Sequence, residues 1–147
     1  MPLVVEPGVP FSGTVYHGTV FQFDEFDLAY AGTLFGYGAV GIAMYFNLTY
    51  ERSERHVRIA ERKAIRKGYD ASSLAPQVIT VSANLDKCYT IYSNIHDFLP
   101  TTNAETRANT IRDFMITNGF DGFILYGTLA VYDLTTISIT DRTEIIL

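Results

Sequence analysis

A histidine and a glycine sit together inside a β-rich run, "VYHGTV", from Val15 to Val20. Val15, Tyr16, Thr19 and Val20 favour an extended chain, and a glycine within a strand marks close approach by a ligand or by another backbone. His17 adds a ring that hydrogen-bonds through two nitrogens and titrates near neutral pH. The pair is therefore the first candidate for ligand chemistry, although His17 equally suits a satisfied structural group on a strand. A second polar cluster, "DEFD", carries Asp24, Glu25 and Asp27. Carboxylates gathered in a turn ahead of a loop serve as caps and Asx-turns, so they are assigned no catalytic or metal role. His17, His56 and His96 lack metal-ligand spacing, and Cys88, the single cysteine, has no partner for an intrachain disulfide. No metal site is expected.

The elements that must position these residues follow from periodicity. "GTVYHGTVF" reads as a first strand, and the segment after "FDEFD" becomes a loop with glycines at 32, 36, 38 and 41. Residues 32–41, with Phe35 and Tyr37, suit either a lid that orders over a ligand or a loop whose aromatics pack beneath it. From 51 to 67, Val57, Ala60 and Ala64 fall on one face and Gly68 stops the pattern, which predicts an amphipathic helix. "PQVITVSAN" and "KCYTIYS" are strand-like. "TTNAETRANTIRDFMITNG" predicts a helix with Thr102 and Glu105 as a capping box and Gly119 as its stop. Asp121 in "GFDGF" reads as a turn former ahead of the closing strands "GFILYG", "LAVYDL" and "TISIT". The fold class is α+β, in one domain over 1–147.

The chain has 147 residues, 48% of them apolar, with ten Tyr and ten Phe, enough for one compact core. "MPLVVEPGVP" lacks the basic start and long apolar stretch of a cleaved signal, and no apolar run is long enough to span a bilayer. A soluble protein is expected, cytoplasmic or delivered into a target cell without a cleaved signal. Net charge is −5, yet "ERSERHVRIAERKAIRK" (51–67) holds seven of the 11 Lys and Arg against three Glu. Two readings stay open for this basic helix: a solvated face with internal pairs such as Glu51/Arg55, Glu54/Arg58 and Glu61 near Arg58, or an anionic ligand or partner nearby. The overall acidity argues against nucleic acid.

Taken in order, "YHGT" (16–19), the glycine loop ending in "GIAMYF" (41–46), the helix that follows and "ILYGTLAVYDLTTISI" (124–139) resemble the ADP-ribosyltransferase fold. The resemblance is to the branch shared by diphtheria-type toxins and poly-ADP-ribose polymerases. "FQFDEFD" (21–27) after "YHGT" is also similar to a phage and mobile-element subgroup. The match spans most of the chain. It implies a split β-sandwich of two small antiparallel sheets with flanking helices, and it implies NAD as the donor. Cleavage of the nicotinamide–ribose bond passes through an oxocarbenium-like state, so catalysis is mainly positioning and electrostatics.

The resemblance assigns roles residue by residue. Tyr16 and His17 open the donor-binding motif, His17 bonding a hydroxyl of the adenosine ribose. Gly18 presents its backbone N–H and C=O to the nicotinamide carboxamide. Thr19 either adds a hydroxyl contact to that ribose or is simply a strand-favouring residue. Tyr45 stands where the family stacks a tyrosine on nicotinamide, and Ser53 where polymerase-like members bond the carboxamide. His56 replaces a second stacking tyrosine; three residues from Ser53 on a helix, it shares that face. A protonated His56 would repel the cationic nicotinamide ring, so NAD affinity is expected to fall with acidity. Thr128 occupies the position of the catalytic glutamate, two residues after Tyr126 and four before Tyr132. Glu144, past a strand and a turn, is a poor substitute unless the C-terminus folds back. The expected function is slow mono-ADP-ribosyl transfer to a macromolecular acceptor, taken to be protein, without chain elongation. An NAD glycohydrolase and a non-catalytic NAD- or ADP-ribose-binding module are the alternatives.

Overall fold

The computed structural model describes residues 8–28, 41–91, 103–125 and 127–146. Residues 32–40, including Phe35 and Tyr37, lie outside them, as do Thr102 and Tyr126. Among the described residues six strands, β1 (Val9–Thr19), β2 (Met44–Asn47), β3 (Gln77–Ile91), β4 (Gly122–Leu125), β5 (Thr128–Val131) and β6 (Ile137–Glu144), combine with two α-helices, α1 (Tyr50–Arg66) and α2 (Ala104–Thr117). The α+β expectation holds. No described helix is long and apolar enough to cross a membrane.

The long strand β3 organises the sheet. One of its edges pairs with β1 from Val9↔Cys88 to Thr19↔Gln77. The other pairs first with β6, from Gln77↔Glu144 to Ala83↔Ile137, and then with β4, from Cys88↔Gly122 to Ile91↔Leu125. The sequence reads two strand-like segments here, 76–84 and 87–93, separated by Leu85 and Asp86. That break marks a change of partner rather than a turn. In the gap between β6 and β4, Oδ2 of Asp121 accepts the backbone N–H of Asp86 at 2.9 Å and of Lys87 at 3.2 Å. A carboxylate thus takes the place of a missing neighbour strand as acceptor for both amides.

Antiparallel pairings β4–β5 and β2–β5, and a single registered pair Tyr16↔Asn47 between β1 and β2, close a ring β1–β2–β5–β4–β3 with β6 outside it. Two details differ from a pair of separate antiparallel sheets. The half-sheets are continuous through β3, and β3–β4 is parallel because α2 lies on the crossover between them, as a parallel connection requires.

α1 buries Ser53, Val57, Ala60 and Ala64, a helical stripe that packs on Val20 of β1 and Val78 of β3. It ends before Gly68, whose φ of 101° only glycine adopts readily. α2 is capped by Asn103 rather than Thr102: the Asn103 side chain accepts from the Thr106 N–H at 3.0 Å, because its oxygen reaches the third residue of the helix. Its Ile111 and Met115 pack with Phe123, Ala130 and Tyr89. A third cluster inside the ring joins Val15, Ile79 and Val81 with Phe46, Leu129 and Val131, and Phe23, Phe26 and Leu28 pack against it.

Candidate functional site

Register decides which candidates share a side of the sheet. Tyr16, Asn47 and Thr128 lie in one row across β1, β2 and β5, so their side chains project from one face. Tyr45 and Gly18, two residues from Asn47 and Tyr16, are on that face too. It is the helix side: Tyr16 makes an edge contact with Tyr50 at 5.7 Å, and a Cβ on Gly18 would collide with the Ser53 carbonyl oxygen and with Val57. The close approach foreshadowed by the strand glycine is therefore made by another backbone, that of α1. Tyr45, Asn47, Ser53, Gly18 and Thr128 are brought to one side, between α1 and α2.

His17 and Thr19 project to the other face, into the ring. The two sets meet where β1 and β2 part. Beyond Tyr16↔Asn47 the ladder stops, and Nδ1 of His17 bridges the opening to the backbone oxygen of Tyr45 at 2.8 Å. A carbonyl only accepts, so Nδ1 carries the proton and Nε2 is left with a lone pair. The ring lies edge-on to Phe26 at 5.3 Å and to Phe46 at 5.7 Å. Burial pushes the His17 imidazolium down to about 4; the Tyr45 bond opposes the shift and the charge of His56 adds to it. His17 is neutral at physiological pH, an acceptor at Nε2. Thr19 is buried, and its oxygen accepts from the Phe21 N–H at 3.1 Å, which finishes the strand. That bond favours the local role for its hydroxyl.

Ser53 is fully buried and its Oγ accepts from Nδ2 of Asn47 at 2.9 Å, leaving the hydroxyl proton to donate elsewhere. The Tyr45 hydroxyl donates to Gly41 O at 2.6 Å, and Gly41 is closed against Ala108 and Arg112 of α2. His56, half-buried on α1, has its pKa lowered by burial and by the charge of Lys63. The expected titration near neutrality therefore moves to more acid pH, because desolvation disfavours the imidazolium. Glu144 does not fold back toward Thr128: it pairs with Gln77, which pairs with Thr19, two strands beyond β1 on the side away from β2. Cys88 is buried, and desolvation with the nearby Asp121 raises its thiol to about 12, so it stays protonated.

Two residues escaped the sequence reading. Asn47 holds Ser53, and Arg52 projects its guanidinium against Gly127, one residue from Thr128. The only signal for Asn47 was a polar residue directly after the apolar "AMYF". Arg52 was hidden among five other basic residues of the same helix. A clasp lies nearby on the ring side: Arg142 donates to Asp24 O at 2.9 Å and stacks over Phe23 at 5.7 Å, fixing the segment that sets Phe26 on His17.

The fold has a known counterpart. A chain of the crystal structure of the M. tuberculosis MbcT–MbcA toxin–antitoxin complex superposes with a TM-score of 0.64 at 13% identity, covering 93% of this chain and 86% of that one. The likeness is one of fold. No family model matches the sequence, and neither does any curated protein.

Proposed function

We propose that the chain binds NAD where β1 and β2 part, cleaves the nicotinamide–ribose bond slowly, and passes one ADP-ribosyl group to a protein acceptor. The observation that carries this reading is a neutral His17 bridging the parting of β1 and β2, with Gly18 closed against α1, Ser53 held by Asn47 and Thr128 in register with Asn47 on the helix side of the same strands. His17 Nε2 would accept from a ribose hydroxyl. The Ser53 proton would go to the carboxamide oxygen, with the Gly18 backbone alongside. Tyr45 and His56 would flank the nicotinamide ring. When the C1′–N bond breaks, its electron pair leaves with nicotinamide and an acceptor nucleophile bonds C1′. Thr128 offers a hydroxyl to the ribose but no charge to the developing cation.

The neighbour of similar fold comes from a toxin–antitoxin complex. We accordingly read the chain as a toxin-like consumer of NAD, acting in a cytoplasm and restrained by a protein partner. Calorimetric titration with NAD tests binding, and nicotinamide release with and without added protein tests the acceptor. Release that does not depend on protein would make the chain a glycohydrolase, and binding without release a non-catalytic module. Thr128→Glu is expected to raise turnover roughly a hundred-fold, the worth of one well-placed electrostatic group. Unchanged turnover in an active protein would remove Thr128 from the site.

A further inference from the structure

The outward face of α1 is charged without being neutralised in place. Opposite its buried stripe, Arg55, Ile59, Arg62 and Arg66 recur at steps of four, three and four residues, all exposed, with Arg58 beside them. A face that serves only to stay dissolved is expected to pair its arginines along the helix. Among the described residues one such pair forms, Arg58 to Glu54 at 4.0 Å between half-exposed side chains; neither Glu51–Arg55 nor Glu61–Arg58 does. Ile59, 45% exposed, stands in the middle of these guanidinium groups, where solvation has no use for it.

The charge is also local. Residues 51–67 carry a net +4 in a chain of −5, which leaves −9 for everything else. A long polyanion such as RNA or an anionic membrane would meet repulsion beyond the helix. A short acidic segment would not: the stripe spans about 16 Å, three turns of helix. Guanidinium groups bind carboxylates bidentately and are enriched at protein interfaces around an apolar centre.

We propose that the Arg55–Ile59–Arg62–Arg66 face of α1 docks an acidic helical segment of a partner protein, with Asp or Glu at matching spacing and an apolar residue over Ile59. The proposal is independent of the NAD reading, since none of these side chains lines that site.

The test uses the whole chain and a fluorescein-labelled, capped peptide of about 18 residues, long enough to be helical, with Glu at those steps and one central Leu. Anisotropy should show saturable binding that weakens with salt, weakens at least roughly tenfold in Arg55→Glu/Arg62→Glu, and weakens less in Arg55→Gln/Arg62→Gln. Amide shifts should cluster at 55–66. Circular dichroism of each variant keeps misfolding distinct from lost binding. Equal binding by wild type and both variants overturns the proposal, as does equal binding of a scrambled peptide. Tighter binding of a single-stranded RNA of about equal length would make the occupant nucleic acid instead. Sedimentation that shows self-association, lost in Arg55→Glu/Arg62→Glu, would make it a second copy of this chain.

Discussion

At the scale of single residues, His17 carries the most information because its environment fixes its protonation. Burial lowers its pKa to about 4, whereas an unfolded chain titrates near 6.5. Between those values the unfolded state binds more protons, so stability rises with pH across this window and is lost as pH falls through it. The slope is at most about 1.4 kcal/mol per pH unit from this one group. Urea midpoints at several pH values from 4 to 7.5 should show it, and His17→Gln should flatten it. NAD affinity should fall on acidification too, but only as pH approaches about 4, because the folded protein keeps Nε2 unprotonated and accepting until then. An affinity that changes most between pH 7 and 8 would deny His17 this role. The His17–Gly18 pair was readable from residue types inside a strand, whereas Ser53 was singled out only through the family resemblance. Asn47 and Arg52 were not, because their partners, Ser53 and Gly127, are chosen by register and helix placement rather than by nearness in the chain.

Elements were readable where period and stop signals agree, as in α1 with its buried stripe and Gly68. They were misread where the cause of a pattern lies elsewhere in space. The gap between the strand-like segments 76–84 and 87–93 divides what is one strand, beside the place where the side chain of Asp121 accepts from the Asp86 and Lys87 amides. Gly18 illustrates the reverse: the glycine signal was sound, and the backbone it admits belongs to α1. Gly18→Ala should therefore destabilise the fold itself by about 1–3 kcal/mol through overpacking, a fall of several degrees in Tm. Thermal melting without ligand checks this. An unchanged Tm would mean that α1 does not press on β1 as closely as the structure has it.

For the whole molecule, strand order assigns distance. Glu144 sits on β6, outside the ring and on the far side of β3 from the strand parting. Glu144→Gln should accordingly leave nicotinamide release unchanged within error, even though this is the carboxylate nearest the chain end that could have replaced a missing glutamate. A large loss of release with folding intact would relocate the site. Sequence patterns missed β2, read as the end of the glycine loop, and did not give the strand order, since pairing between β1 and β3 joins residues as far apart as Val9 and Cys88.

The one registered pair between β1 and β2 makes the ring a latch rather than a weld. Every other junction of the ring is held by several rungs, while one rung, Tyr16↔Asn47, and the His17–Tyr45 bond are the hydrogen-bonded links described across this one, beside the packing of His17 and Val15 on Phe46. Such a junction can gape without melting a strand, because local opening costs only the bonds that cross it. The amides of Tyr16 and Asn47 that face the latch should then exchange with solvent by a motion whose rate is indifferent to denaturant, while Ile79 and Val81 exchange only with global unfolding. Native-state hydrogen exchange across a urea series separates the two. If all four share one denaturant dependence, the ring opens nowhere short of unfolding, and any ligand must enter through the parting as it stands.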